Sequence, residues 1–547
     1  MELTKAEGMD SSPATACCTP KIRQSMEVIS IQPKQSIFRL AKPPVYVLCA
    51  IFTSIGGFAF GFDTGSIGPI TLMPAFHSTF GTLSPTLHGL LVSCILIPGA
   101  IFSLFAGPIA DRVSRTYAIS LGGFMFAIGA LICCLSSSLP QLYVGRLISG
   151  AGEGIFLSCI NVYSIEIAPK RIRGTVACIL QLLISMGLMS GYFVCYGSLK
   201  LSGDMSWRVP FICQVFVCSF LGAGAPFIPH SPRWLLMKGR RRDAEAALIS
   251  LGIGSEEREE LLAVACEAVE EAASAKTGPA WKNALAHYKE AFAPEVRGRT
   301  ILALYMQATQ QLSGIDGVLY YAPMLFTQAG LSSANASFLA SGVTGIVSVV
   351  ITALGQIFTD KWGRRPTLIS GGIIMGIAMT GIGAVYAHPT ASKEKGGQWT
   401  VIALIFVYFS SFVMSWAILI RIHVSEAQPV RTRASVSALS QSSNWIVNWV
   451  IAFTTPMFLK RTPSGPYFLW AATIWVAVVV FIVYLPETRG REMEDFDGKA
   501  DSTLGRWIQG FFCKGTQDLS ERSSVMDPEL ERGIAKATED SEKKTEQ

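Results

Sequence analysis

The sequence predicts an all-α membrane protein of twelve transmembrane helices in two six-helix bundles, and three observations predict it. Half of the 547 residues are hydrophobic and only 15% are charged, a balance too apolar for an ordinary water-soluble chain. Apolar stretches of about 20 residues, the length that crosses a hydrocarbon core, recur six times on each side of a polar middle segment. A charged phrase also occurs twice at matching edges of these sets: Gly107-Pro-Ile-Ala-Asp111-Arg112-Val-Ser-Arg115, then Asp360-Lys361-Trp-Gly363-Arg364-Arg365. A second pair, Glu166-Ile-Ala-Pro169-Lys-Arg-Ile-Arg173-Gly174 and Glu426-Ala-Gln-Pro429-Val-Arg431-Thr-Arg433, keeps a similar offset, so one half reads as a duplicate of the other.

Residues 1–44 are polar, contain Pro13, Pro20 and Pro33, and lack an apolar core of signal-peptide length. They read as a tail, with the first span as the insertion signal. The spans of the first bundle, residues 45–228, are expected at 45–66, 89–109, 117–136, 141–161, 175–197 and 209–228. Residues 229–299 then change character: Arg240 to Arg242 mark a membrane-facing edge, and Glu256 to Ala273 are rich in helix-favouring Glu and Ala, which predicts linker helices. The second bundle, residues 300–485, is expected to place spans at 300–322, 336–358, 367–387, 400–420, 435–457 and 467–485. Residues 486–547 form a second polar tail, expected to be disordered from about 514 onward for want of aromatic and apolar residues.

The net charge of +6 comes from loops and does not call for a nucleic-acid partner. Lys and Arg crowd alternate loops, at Arg112 and Arg115, Lys170 to Arg173, Arg233 to Arg242, Lys361 to Arg365, Arg431 and Arg433, and Arg489 and Arg491. The positive-inside bias makes those loops cytoplasmic, and both termini with them. Most of the thirteen cysteines fall inside spans and none in an expected outside loop, so structural disulfides are not expected. Asn335-Ala-Ser337 matches a glycosylation sequon but stands close to the next span, which makes it a poor acceptor.

Ionisable groups inside a bilayer are costly, by roughly 2.5–3.5 kcal/mol on insertion scales, so they face the bundle interior, pair and work. Asp63, Arg146, Glu153, Glu166, Asp316, Arg421 and His423 stand in or at the edges of expected spans. Asp63 and Arg146 lie on helices of the same half and can pair; pairing would favour the carboxylate and its loss would favour the acid, which is a proton switch in outline. Glu153, two turns from Arg146, is either a structural partner or a proton-transfer group. Its glycine-rich surroundings, Gly150 to Gly154, follow no strand and suit close helix packing better than nucleotide binding. Asp111, Arg115, Glu166, Arg173, Asp360, Arg364, Glu426 and Arg433 sit at cytoplasmic helix ends and read as a gate holding the two halves together.

Uncharged polar residues also cluster. Gln181 interrupts the fifth span, and Gln310, Gln311, Asp316, Tyr320 and Tyr321 fall on a seventh span broken by Gly314 and Gly317. Amides, a carboxylate and aromatic rings suit a hydroxyl-rich solute, because each hydroxyl needs a donor and an acceptor and a sugar ring face stacks on aromatic surface.

Several phrases together resemble the major facilitator superfamily and, within it, the sugar porter family of fungal type. Beside the two charged phrases there are Thr64-Gly-Ser-Ile-Gly-Pro-Ile, Gly145-Arg146, Pro229-His230-Ser231-Pro232-Arg233-Trp234-Leu235, Gln310-Gln311-Leu-Ser-Gly314-Ile-Asp316 and Pro486-Glu487-Thr488-Arg489-Gly490. The resemblance spans residues from about 45 to 491. It implies a central site between the bundles and alternating access, with Gln181, Gln310, Gln311, Asn444 and Asn448 contacting sugar and with Asp63 and Arg146 coupling protons where the carrier is a symporter. Departures are as telling. Asp316 stands where the family has Asn, Ser348 replaces another Asn, His230 replaces Glu, and Ser114 replaces Gly. On the tenth span, Ala417-Ile418-Leu419-Ile420-Arg421 replaces Gly-Pro-x-x-Trp, which predicts a stiffer helix bearing a cation. Arg421, with His423 and Asp316 nearby, either shifts preference toward an acidic polyhydroxy solute or pairs with Asp316 or Glu426 and leaves preference alone.

The expected function is secondary active transport of a sugar or sugar-like polyhydroxy solute by proton symport, in the plasma membrane, by a monomer. Duplicated halves are a common construction of secondary transporters. A transport-inactive nutrient sensor and an exporter of a fungal metabolite use the same features and stay open. No metal-ligand cluster, nucleophile elbow or phosphate loop is legible, so neither an enzyme nor a cofactor or metal is expected.

Overall fold

A computed structural model describes residues 44–485, apart from 170–172, 256–257, 260, 264–265, 267–287, 295, 332–333, 389 and 391–393. Both expected tails and most of the Glu-rich linker stretch lie outside the described residues.

The regular elements of the described part are helices, and the long ones form twelve rods. In the first half these are α1 (Val45–Thr71, in two pieces that meet at Ser54), α2 (Pro85–Val113), α3 (Arg115–Cys134), α4 (Leu139–Ile167), α5 (Arg173–Ser198) and α6 (Met205–Gly224). The second half has α7 in three pieces (Arg297–Leu312, Ile315–Tyr320 and Ala322–Gln328), α8 (Ala334–Trp362) and α9 (Arg364–Ala387). It continues with α10 in two pieces (Lys395–Met414 and Trp416–Glu426), α11 (Val430–Arg461) and α12 (Gly465–Tyr484). Two short helices, Pro232–Met237 and Arg241–Ser250, follow the first half.

Nine of the rods are long and apolar enough to cross a membrane by themselves, among the described residues. The other three are α4, α7 and α11. These carry Arg146 and Glu153, then Gln310, Gln311 and Asp316, then Asn444 and Asn448. A helix that brings polar groups into a bilayer must turn them toward neighbouring helices, so the least apolar rods mark where the interior is polar.

Small residues let the rods approach closely. Gly154 of α4 lies so near α2 that an added Cβ would stand 2.4 Å from the carbonyl oxygen of Gly99. That contact supports close packing as the role of the Gly150 to Gly154 run. The two halves meet where α5 runs along α8 and where α2 runs along α11. Ser185 of α5 is 2.9 Å from Thr352 Oγ1 and accepts from Ser348 Oγ at 3.0 Å, so Ser348 bridges the halves. Tyr192 OH donates to Leu319 O at 2.6 Å, and the ring of His88 stands edge-on to Tyr321 at 5.3 Å.

Two local expectations are corrected. The seventh rod does break at Gly314, whose φ of +86° is natural for a residue without Cβ. The second break falls at Tyr321, however, because Gly317 lies within the piece Ile315–Tyr320. The tenth rod is not a stiff helix: it breaks at Ser415, with φ −119° and ψ −75°, although neither Gly nor Pro is present there. Ser415 Oγ donates back to Ser411 O at 2.6 Å, a side-chain bond that competes with the helical ladder and bends it. Ser337 of the sequon is buried and its hydroxyl is engaged with Leu331 O and Thr327 Oγ1, both at 2.9 Å, in keeping with a poor acceptor.

Candidate functional site

Between the two halves lies a cavity with roughly 690 Å³ of empty space, part of it open to solvent. Its wall takes Phe60 and Thr64 from α1 and Gln181 and Leu188 from α5. The second half contributes Gln310, Gln311 and Asp316 from α7, Arg421 from α10, and Gln441, Asn444, Trp445 and Asn448 from α11. The substrate-site residues read from sequence are thus brought together, with one exception. Tyr320 is fully buried but stands outside the lining: Ile315, Asp316 and Leu319 of the same piece face the cavity, while the Tyr320 backbone packs against Gly68 of α1.

The amides hold one another in place. Asn444 Nδ2 donates to Gln310 Oε1 at 2.9 Å and to Gln307 Oε1 at 3.1 Å, while Gln311 Nε2 donates to Asn444 Oδ1 at 3.1 Å. Gln310 Nε2 donates to Trp416 O at 2.7 Å, tying α7 to the break in α10. Both polar ends of Gln310 are therefore used inside the protein. Two buried acceptors remain open, Gln311 Oε1 and Asn448 Oδ1, which have no hydrogen-bond partner. A buried carbonyl oxygen left unpaired costs about 1–3 kcal/mol, and both residues stand in the cavity wall.

Asp63 stands between the lining residues Gly61 and Thr64 but is itself outside the lining and points into the first bundle. Arg146 Nη1 of α4 donates to Asp63 Oδ1 at 2.5 Å, and Arg146 Nη2 donates to Val92 O at 3.0 Å. Gln214 Nε2 of α6 adds a bond of 3.1 Å to the same Asp63 oxygen. Both ionic partners are buried, at 1% and 4% side-chain exposure, and salt does not screen a pair so enclosed. Glu153 is buried beside them, and its Oε2 has no hydrogen-bond partner. Gln214 was not anticipated from sequence. Its signal is that of the others, a single amide in an apolar helix, and it sits at a place where no motif drew attention.

The expected gate is only partly seen. Arg115 joins Asp111 at 2.7 Å and Glu166 at 3.1 Å. All three belong to the first half, so these bonds tie α2, α3 and α4 together and do not hold one half to the other. The tight reversal at Ser114 brings this about, folding Arg115 back over Asp111 four residues earlier. Arg364 opens α9 beside Arg365, whose Nη2 donates to Ile482 O of α12, again within one half. The side chains of Arg173, Asp360, Glu426 and Arg433 lie outside the described residues. Nearby, two departures noted in the sequence meet: Ser114 Oγ stands 3.0 Å from Nδ1 of His230, and Thr116 Oγ1 stands 2.8 Å from it. Burial, with the Arg240 charge adding to it, lowers the pKa of His230 below the usual histidine value. No group of three or more His, Cys, Asp or Glu that could hold a metal occurs among the described residues.

Known proteins share this architecture. A glucose transporter of the major facilitator superfamily from Aspergillus flavus, mfs1, is 30% identical over 493 residues, covering 85% of this chain and 91% of the relative. The high glucose sensor RGT2 of Saccharomyces cerevisiae is 32% identical over 473 residues, covering 82% of this chain and 60% of the sensor. Among solved structures, the xylose transporter XylE from E. coli in a partially occluded, inward-open conformation superposes with a TM-score of 0.67. It is 23% identical and covers 82% of this chain and 99% of its own, which establishes the fold. The profile of the family described as Sugar (and other) transporter matches residues 49–499, and with that match over most of its length the chain belongs to this family as a multi-pass membrane protein.

Proposed function

We propose that this protein is a secondary active carrier of a sugar or sugar-like polyhydroxy solute, driven by proton symport through alternating access. Further parts of the same reading are residence in the plasma membrane, cytoplasmic termini and action as a monomer. The observation that carries it is the pairing of two features on α1. A cavity between duplicated halves is lined by amides with unpaired oxygens, and a buried carboxylate–guanidinium pair lies directly behind its α1 wall.

In this reading the solute binds between Gln181 on one half and Gln310, Gln311, Asn444 and Asn448 on the other. Bridging both halves lets it favour the state in which they close around it. Asp63 takes the proton. Paired with Arg146 it stays ionised; when rocking of the halves loosens the pair, the acid form becomes favourable, and one proton moves with each cycle. Glu153, buried beside the pair, either holds Arg146 in place or passes the proton. The charged clusters at the ends of α2, α3, α4, α9 and α10 gate the inner mouth.

The test is uptake of labelled glucose by yeast lacking its own hexose carriers, with and without a protonophore. Accumulation that the protonophore abolishes is expected. Equilibration without accumulation would leave a carrier but remove the symport; no uptake with the protein at the surface would point to a sensor, and efflux alone to an exporter.

A further inference from the structure

The cavity wall holds one cation, Arg421, which feels the Asp316 carboxylate of the same wall without touching it in an ion pair. Arg421 lines the wall, its Nε has no hydrogen-bond partner, and its guanidinium makes no ion pair among the described residues. An unpaired guanidinium inside a membrane bundle is unfavourable unless an anion joins it. The same wall carries the two open acceptors, Gln311 Oε1 and Asn448 Oδ1, and the Asp316 carboxylate. A ligand that satisfies all of them has an anionic group at one end and several hydroxyl donors along the rest.

Each simpler ligand leaves part of the wall unsatisfied. A neutral hexose can donate to the amide oxygens, but it leaves the guanidinium without an anion in direct contact, since Asp316 makes no ion pair with it. A bare inorganic anion answers Arg421 and leaves both acceptors orphaned. A sugar phosphate carries close to two negative charges into a cavity that already holds Asp316, so it meets more repulsion than a single guanidinium offsets. A carboxylate matches the fork of the guanidinium in two parallel bonds and carries one charge.

We infer that the preferred solute is a monocarboxylate polyol, an aldonic or uronic acid, with its carboxylate on Arg421 and its hydroxyls on Gln311, Asn448 and Asp316. Resting on the carrier reading above, this assignment names the class of substrate within it. Asp316 then contributes orientation, because it repels the carboxylate end and accepts from the hydroxyl end. Arg421 becomes the residue that separates sugar acids from sugars.

The experiment uses the full-length protein reconstituted in liposomes with an imposed pH gradient, and measures uptake of labelled D-gluconate and labelled D-glucose. Wild type is expected to accumulate gluconate, and unlabelled gluconate or galacturonate should compete against labelled gluconate at least tenfold better than glucose does. R421Q is expected to lose gluconate uptake at least tenfold and R421K to recover part of it, while all three proteins melt as single cooperative transitions. Glucose uptake with no gluconate uptake or competition would overturn the inference and leave the carrier reading standing. Uptake of neither would overturn both. Stronger competition by glucose 6-phosphate than by gluconate would overturn the carboxylate assignment, and wild-type gluconate uptake by R421Q would remove Arg421 from it. The wild-type competition series decides the solute class even if R421Q fails to fold.

Discussion

Ser114 and Gly363 occupy equivalent places in the two charged phrases and share one backbone conformation, φ +110° and ψ 153° against φ +86° and ψ 155°. Each lies between two consecutive rods and reverses the chain there. The duplication seen in the sequence therefore extends to backbone torsions. Only one copy has kept the residue that adopts this region without strain, for among the described non-glycine residues Ser114 alone has positive φ.

S114G is expected to stabilise the protein. A side-chain-bearing residue in this region costs about 1–3 kcal/mol, whereas glycine gives back roughly 0.5–1 kcal/mol in the unfolded chain. The bond to His230 is not forfeited, because Thr116 Oγ1 stands 2.8 Å from the same nitrogen. G363A is expected to destabilise by a similar amount, for it recreates the strain without a histidine contact. Melting of the detergent-purified proteins checks both; a lower melting temperature for S114G would mean that its hydroxyl matters more than its strain.

His230 should make stability depend on pH in one direction. Its pKa is lowered in the folded protein, so the fold favours the neutral ring. The sign follows: the contribution is present above the ordinary histidine value of 6.5 and is lost as pH falls below it. Protonation would make both ring nitrogens donors and place a positive charge beside Arg240, between the rings of Tyr117 and Trp234. Between pH 8 and pH 5 the melting temperature of wild type should fall more steeply than that of H230N; parallel slopes would show that another group sets the dependence.

The Asp63–Arg146 pair should fail asymmetrically. Removing one partner of a buried pair leaves a charge stranded, at about 3–5 kcal/mol. R146M is therefore expected to lower the melting temperature sharply, and D63N/R146M to recover much of the loss, since neither charge remains. D63N by itself tests coupling: accumulation driven by a pH gradient should collapse to equilibration. A D63N protein that still concentrates solute would move the coupling to Glu153 or elsewhere.

The twelve rods were legible because a bilayer forces each backbone polar group into a helix and forces length upon that helix. Asp63 and Arg146 were legible for a related reason, since charges so costly in the membrane must find each other, and they do at 2.5 Å. The break at Ser415 was not, because no Gly or Pro announces it; a hydroxyl bond back to Ser411 and the pull of Gln310 on Trp416 O accompany it. The reach of Arg115 was misjudged because spacing along the chain does not reveal that Ser114 turns it back onto its own bundle. Gln441 was missed although it precedes Asn444 by three residues, a helical spacing that puts both on one face of α11.

The amides at the cavity should separate into two behaviours. Asn448 Oδ1 is open, so N448A removes an acceptor that only the solute uses. A neutral hydrogen bond is worth about 0.5–1.5 kcal/mol net, which corresponds to a rise in KM of roughly twofold to tenfold, with the melting temperature little changed. Asn444 is different, because it joins Gln307, Gln310 and Gln311. N444A strands several buried amide groups at once and is expected to lower both the melting temperature and the rate of uptake. N444A would also release Gln310 Oε1 and loosen the tie from Gln310 Nε2 to Trp416 O, so the α10 break should become more mobile in hydrogen exchange. If N448A and N444A proved equal in both melting and KM, the distinction between an open acceptor and a bound framework would be lost.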